Sequence, residues 1–395
     1  MKTRRGHVRQ RGKTFTAYWR VASQEGGSLL RSKGGFATAD AAERHLTKVL
    51  RNLDTGHYVE LDRSTQKQTL ADFVRDDWLP AIATTLRPST LASYREKLEL
   101  HVLGAGREGE EGEVPYLGTL RLADITPERI NRLYASLLAH GRRDGKGGLS
   151  AQTVRHVHRA LYGCLNDAVR WDRIARNPAS RAEPPKPKRA PMQVWSAQQL
   201  RSYLEYVEAD RLYAAWLLLV TTGMRRGEVL GLRWSDVDLD AGQLAVRQTL
   251  IAVGYRVEIS EPKTERSRRR IGIDSATVAG LRSWRARQAE ERLAWGGAWT
   301  DCGLVFTRED GTPIHPQSLS QFFEKRAKAA GLPPIRLHDL RHSYATAALE
   351  AGVAAKVVSE RLGHSSISIT SDTYQHVMPE LDDQAAARVA RVILG

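Results

Sequence analysis

The sequence predicts a multidomain, mainly α-helical protein with small β-sheets, and three observations lead there. The chain has 395 residues, too many for one ordinary hydrophobic core, so two or three domains are expected. Apolar residues recur at helical spacing along most of it, and period-two alternation is confined to two short regions. A stretch with four prolines in ten residues, Ala182 to Pro191, divides a first half from a mixed second half.

Residues 1–63 predict a small sheet plus one helix. Thr14 to Ala22 alternates and is rich in β-formers (Phe15, Tyr18, Trp19, Val21). Gly26-Gly27 signals a turn, and Leu29 to Phe36 reads as a second strand. Thr38 to Leu53 carries Ala42, Leu46, Val49 and Leu50 at helical spacing, with Thr38 and Asp40 as capping candidates. The segment holds 13 Lys and Arg against 6 Asp and Glu. Arg4, Arg5, Arg9, Arg11 and Lys13 lie beside aromatics, a pattern suited to nucleic-acid contact.

Residues 64–183 read as helical. One helix runs from Thr69 to Leu79 and is expected to stop at Pro80. Pro88-Ser89-Thr90 opens a second, and the Gly- and Glu-rich stretch Gly104 to Gly118 is a loop. Thr126-Pro127-Glu128 opens another, with proline at the first helical position. Ser150 to Trp171 is the longest, with Val154, Val157, Leu161, Leu165 and Val169 on one face. Arg155, His156, His158 and Arg159 occupy the other face.

The prolines of 184–191 preclude a packed helix and favour an extended basic linker carrying Lys186, Lys188 and Arg189. In 192–395, Ser196 starts a helix and Leu212 to Val220 forms an apolar one. Gln243–Leu250, Gly254–Ser260 and Arg268–Ile273 alternate as strands of one small sheet. Helices follow around Val278–Leu293, Gln317–Ala330, Leu337–Ala351 and Ala354–Leu362.

Charge narrows the function. Lys and Arg number 60 against 45 Asp and Glu, a net charge of +15, which fits a polyanionic partner. Leu212 to Val220 is far short of the ~20 residues that span a bilayer, so no membrane role is expected. Nothing apolar follows the basic N-terminus, so no signal peptide is read there. Two cysteines, Cys164 and Cys302, without paired spacing argue against a disulfide framework or a cysteine-based zinc site. Gly145-Lys146-Gly147 lacks the hydroxyl residue and spacing of a nucleotide-binding loop. No carboxylate cluster of the two-metal nuclease kind is present, so neither metal nor cofactor is expected.

The chemistry concentrates in four motifs. They are Thr222-Gly223-Met224-Arg225-Arg226-Gly227-Glu228, His338-Asp339-Leu340-Arg341-His342, Arg361-Leu362-Gly363-His364, and a segment ending in Tyr374, ten residues after His364. Arginine forks hold phosphate oxygens. Tyrosine can act as a covalent nucleophile, and histidine moves protons near neutral pH. Arg225 and Glu228, three apart, would share a helix face, as would His338 and Arg341. His342 would point elsewhere.

In these motifs, in this order, residues 65–395 resemble the tyrosine recombinases, specifically phage and integrative-element integrases. The resemblance implies catalytic roles for Arg225, Lys263, His338, Arg341, His364 and Tyr374. Glu228 would hold the Arg225 guanidinium. Lys263, in Glu261-Pro262-Lys263-Thr264, matches the hairpin lysine that protonates the leaving 5′-oxygen. His338 would be the general base or a phosphate donor, and His364 another donor. Tyr374 would form a 3′-phosphotyrosine, with no ATP required.

The resemblance also implies an arm-type DNA-binding domain at 1–63, a helical core-binding (SAM-like) domain at 64–183, a linker at 184–191 and a catalytic domain at 192–395. Arg4, Arg5, Arg9, Arg11, Lys13, Arg155, Arg159, Lys186, Lys188, Arg189 and Arg268 are the expected DNA contacts. Implied partners are double-stranded DNA with core and arm sites, a homotetramer on DNA from a free monomer, an excisionase and a host DNA-bending protein, in the cytoplasm at the nucleoid. The apolar C-terminal segment from Pro379 to Leu394 would dock on a neighbouring protomer. A catalytically silent DNA-binding regulator and a type IB topoisomerase are the alternatives. The intact motif set weighs against the first, and the extra basic N-terminal segment against the second.

Overall fold

The computed structural model describes residues 6–22, 28–54, 67–105, 114–187, 193–260, 268–363 and 393–394. The chain forms two compact units, Met1–Arg189 and Ala190–Gly395. It is helix-rich with small sheets, as expected.

The first unit contains two separate buried cores. The N-terminal one is a three-stranded antiparallel sheet, β1 (Gly6–Arg11), β2 (Thr14–Ala22) and β3 (Ser28–Phe36), with helix α1 (Ala39–Asp54) against one face. Ala17, Trp19 and Val21 alternate inward from β2 and meet Ala42, Leu46 and Val49 of α1. The Thr38 hydroxyl accepts the Ala41 N–H and caps α1; Asp40 instead pairs with Arg44. Strand β1 was not expected, because its residues are basic and polar. It forms because β2 needs an edge partner, and it exposes Arg9 and Arg11.

The second core is helical. Helix α2 (Leu70–Asp72) runs through a π-helical segment, Phe73–Trp78, into α3 (Leu79–Ala83). The expected stop at Pro80 is therefore corrected. The wide π turn precedes the proline, whose ring would otherwise meet the carbonyl four residues back, so the helix continues. Helix α4 (Pro88–Leu98) passes into a second π segment, Glu99–Leu103. Helix α5 (Pro127–His140) buries Ile130, Leu133, Tyr134 and Leu137. Helix α6 (Ala151–Arg170) buries Val154, Val157, Leu161 and Leu165. Thr126 and Ser150 cap α5 and α6 through their side chains. The Trp78 indole donates to Asp167 over 2.8 Å and ties α6 to the π segment.

The second unit is built around α8 (Tyr213–Thr222), whose residues are buried nearly all round. Helix α7 (Ala197–Tyr206) starts at Ser196 with a capping box to Gln199. Helix α9 (Arg226–Leu230) follows α8. Strands β4 (Val237–Asp238), β5 (Gln243–Val246) and β8 (Arg269–Gly272) form one antiparallel sheet. Strands β6 (Thr249–Val253) and β7 (Arg256–Ser260) form a separate hairpin. The expected single strand over 243–250 breaks between Val246 and Thr249. There the Gln248 side chain donates to the Gly231 carbonyl instead of extending the ladder. Helices α10 (Ser275–Trp295), α11 (Pro316–Ala329), α12 (Asp339–Glu350) and α13 (Ala355–Leu362) complete the unit.

Among the described residues, Tyr203 places a polar group in the core of the second unit without a partner. Tyr203 is buried among Trp195, Trp216 and Phe323, and its hydroxyl has no hydrogen-bond partner. Burial drives its pKa far up. A buried donor without a partner costs on the order of 1–3 kcal/mol. Tyr203→Phe is thus expected to raise the urea midpoint, or leave it unchanged, at constant m-value. A clear drop in the midpoint would mean the hydroxyl finds a partner in solution.

Among the described residues no helix is long and apolar enough to cross a membrane.

Candidate active site

The site begins where α8 ends. Gly223 takes a left-handed conformation, φ 64°, and closes that helix. A side chain there would strike Tyr344 at 2.6 Å and Leu362 at 2.7 Å. The chain then turns extended at Arg225, which is the N-cap of α9. Arg225 therefore does not share a helix face with Glu228, as its spacing suggested. Glu228 is the third residue of α9 and reaches back, accepting the Arg225 backbone N–H at 2.9 Å. Its other oxygen accepts from the Arg225 guanidinium at 2.8 Å. The three-residue spacing is that of a capping box.

Glu228 is only 5% exposed. Burial opposes its ionisation, but hydrogen bonds and charge from Arg269, and then the charge of Arg225, outweigh burial and hold its carboxyl down at about 2. A depressed carboxyl contributes stability above its unfolded value. That contribution is lost as pH falls from about 4.5 toward 2.

Arg341 comes from α12 and is 3% exposed. Its guanidinium donates to the Gly223 carbonyl at 2.9 Å and to the Leu362 carbonyl at 2.6 Å. Arg225 donates to the same Leu362 carbonyl at 3.5 Å and to that of Gly363 at 3.2 Å. Both arginines thus converge on the last carbonyls of α13. Gly363, at φ 66°, ends that helix. Carbonyls at a helix C-terminus lack partners and carry partial negative charge, so they hold cations well. They bring together two guanidiniums from distant parts of the chain, the arrangement needed to grip a phosphate.

His338 stands just before α12 and is exposed. Desolvation of its packed side, then His342, Arg341 and Arg225, push its imidazole down to about 4, against a smaller upward pull from Asp339. At pH 7 the imidazole is neutral and can accept a proton. His342 does not point away: its ring packs edge-on against that of His338, with centroids 5.4 Å apart. The next helical turn of His338 is position 342, which brings the rings together. Since the imidazole is depressed, stability is expected to fall as pH drops from 6.5 toward 4, the unfolded chain taking the proton first. NMR titration of the His338 ring nitrogens should find a midpoint well below 6.5. A midpoint at or above 6.5 would show that its cationic neighbours do not act on it.

Of the other residues singled out from sequence, Arg9, Arg11, Lys13, Arg155, Arg159, Lys186 and Arg268 are exposed. On α6, His158 is half-buried instead, against Tyr134, whose hydroxyl lies 2.8 Å from its ring nitrogen. Lys263, His364 and Tyr374 lie outside the described residues, as do Arg4, Arg5, Lys188, Arg189, the Gly26-Gly27 turn, Pro191, and Pro379 to Val392 of the C-terminal segment.

Arg269 was missed. Its side chain is 7% exposed and donates to both Glu228 oxygens. The signal was parity. Ile271 of β8 is buried, so Arg269, two residues before it, faces the same way, while Arg268 and Arg270 face out. A run of arginines hid the one that turns in.

Residues 193–380 match the model of the phage integrase family. The chain is 29% identical over 378 residues, 91% of each chain, to a XerC-like tyrosine recombinase of Caldanaerobacter subterraneus. Residues 193–380 of this chain therefore carry a phage integrase family domain. The ICEBs1 integrase of Bacillus subtilis is 28% identical over 244 residues, covering 61% of this chain and 66% of that one. Among solved structures, the Tn1549 transposon integrase in complex with transposon right-end DNA is similar at a TM-score of 0.62 and 20% identity. The match covers 80% of this chain and all of that one. A lambda integrase dimer bound to a core site matches at 0.56 and 19% identity over 94% of each chain. The fold is that of the integrases.

Proposed function

We propose that this protein is a tyrosine recombinase, an integrase that cuts and rejoins DNA at specific sites to integrate and excise a mobile element. The observation that carries the reading is the convergence of Arg225 and Arg341 on the carbonyls of Leu362 and Gly363. His364 follows in sequence, and Tyr374 ten residues later.

In this reading the two guanidiniums take the non-bridging oxygens of the scissile phosphate. Attack builds negative charge on those oxygens, and fixed cationic donors stabilise it without reorganising. Neutral His338 takes the Tyr374 proton or holds the phosphate. The Tyr374 oxygen bonds to phosphorus as the bond to the 5′-oxygen breaks. Lys263 gives the leaving oxygen its proton, and His364 donates to the phosphate. The 3′-phosphotyrosine keeps the energy of the broken bond, so the reverse attack by a 5′-hydroxyl reseals a strand without ATP.

The proposed partner is double-stranded DNA. Relatives of the same fold have been solved on transposon-end DNA, on core sites as a dimer, and as a tetramer on a Holliday junction. We assign residues 1–63 to arm sites, 64–183 to the core site and 192–395 to catalysis, with 184–191 as linker, on four protomers acting in the cytoplasm at the nucleoid. The open sheet face supports the first assignment. Arg9 and Arg11 stand exposed opposite Thr16 and Thr14, and the His7 ring stacks on Tyr18 at 4.9 Å.

The test is strand exchange. Two labelled duplexes carrying the direct repeats that flank the coding gene should yield recombinant products with the full-length chain. Relaxation of supercoiled plasmid without exchange would instead indicate a topoisomerase, and binding without cleavage a silent regulator.

A further inference from the structure

We infer that Arg269 is a positioning residue for the strand-cleavage reaction, acting through Glu228 to fix the aim of Arg225. The inference rests on the integrase reading of the site.

Three observations point to it. All three nitrogens of the Arg269 guanidinium donate: two to Glu228, at 3.0 and 2.8 Å, and Nε to the Arg361 carbonyl. Its carbon and nitrogen atoms also pack on Gly363, where a side chain would meet them at 3.1–3.3 Å. Glu228 in turn spends its remaining capacity on the backbone and guanidinium of Arg225. Arg269 thus binds both supports of Arg225: the carboxylate on one side, and on the other the end of α13, whose carbonyls receive Arg225 itself.

Electrostatics explains why a second arginine is needed. A carboxylate buried with one cation forms a closed pair, and Arg225 would be drawn into it and lose reach. Two guanidiniums on one carboxylate leave a surplus positive charge at the outer one. Arg225 is the outer one, with 38% of its side chain exposed against 7% for Arg269. Arg269 supplies charge compensation from inside, so Arg225 keeps its charge for an incoming phosphate. Lysine cannot replace it, because a single ammonium does not span two carboxylate oxygens and a carbonyl.

The test uses full-length protein and a nicked duplex carrying the direct repeat that flanks the coding gene, so that cleavage is trapped as a covalent adduct. Wild type sets the reference; if it forms no adduct, the integrase reading fails and this inference falls with it. Arg269→Lys keeps the charge and is expected to bind the duplex with unchanged half-saturation. Its saturated cleavage rate should fall by about 10- to 100-fold, the penalty of a misaimed catalytic group. Cleavage at the wild-type rate by Arg269→Lys would overturn the inference. Should that variant fold poorly, Arg269→Met combined with Glu228→Gln removes both buried charges together and relieves the unpaired carboxylate. That pair is expected to recover thermal stability and duplex binding but not cleavage. Recovery of cleavage along with stability would reduce Arg269 to a structural ion pair and overturn the inference.

Discussion

Tyr374→Phe is expected to form no covalent adduct with a nicked attachment-site duplex while binding it as tightly as wild type. Phenylalanine keeps the ring and removes only the oxygen that would bond to phosphorus. A denaturing gel reads the result directly, since the adduct survives denaturant and a bound complex does not. A covalent band from the variant would move the nucleophile to another residue. Loss of binding in a gel shift would mean that Tyr374 serves the DNA interface before it serves chemistry.

Arg341→Ala should be the next most damaging change. Loss of one preorganised donor of this kind costs roughly 10²–10³ in rate. The same substitution removes the Arg341 donor from the Gly223 carbonyl and leaves the Leu362 carbonyl only the longer bond from Arg225. A buried acceptor left bare costs about 1–3 kcal/mol, so the variant should also melt earlier. Arg341→Lys separates the two effects. It restores charge but not the fork, and is expected to recover stability in part while cleavage stays low. Single-turnover cleavage within about threefold of wild type for Arg341→Ala would remove it from the catalytic set, since no preorganised donor is that dispensable.

Much of this molecule was legible before its structure. Ser150, Thr126 and Ser196 announced helices because their hydroxyls satisfy N–H groups that no helix can satisfy internally, and each does so here. Local chemistry of that kind is written in neighbouring residues. What could not be read depends on the chain far away. Pro80 signals a break only if the preceding turn is α-helical, and here it is not. Strand β1 has no apolar pattern of its own and exists through its register with β2. The motif arginines stood out by their order in the chain, but their anchors did not. The acceptors of Arg341 are backbone carbonyls, one of them 118 positions away, and a carbonyl has no letter in a sequence. Arg269 could have been found by strand parity, though only after Ile271 was known to face inward.

Those backbone anchors bear on how such a protein evolves. A point mutation can delete a carboxylate or a hydroxyl, but it cannot delete a carbonyl. Leu362 could become another apolar residue and still offer its oxygen to both arginines. Gly363 could not change freely, since its φ of 66° admits few other residues. The arginine pair is therefore buffered against drift in most of the side chains around it. It is exposed instead to insertions and deletions, because one extra residue in α13 would rotate the terminal carbonyls by about 100° and carry them away from both guanidiniums at once. Lineages of this protein should accordingly vary in the composition of α13 and hold its length fixed.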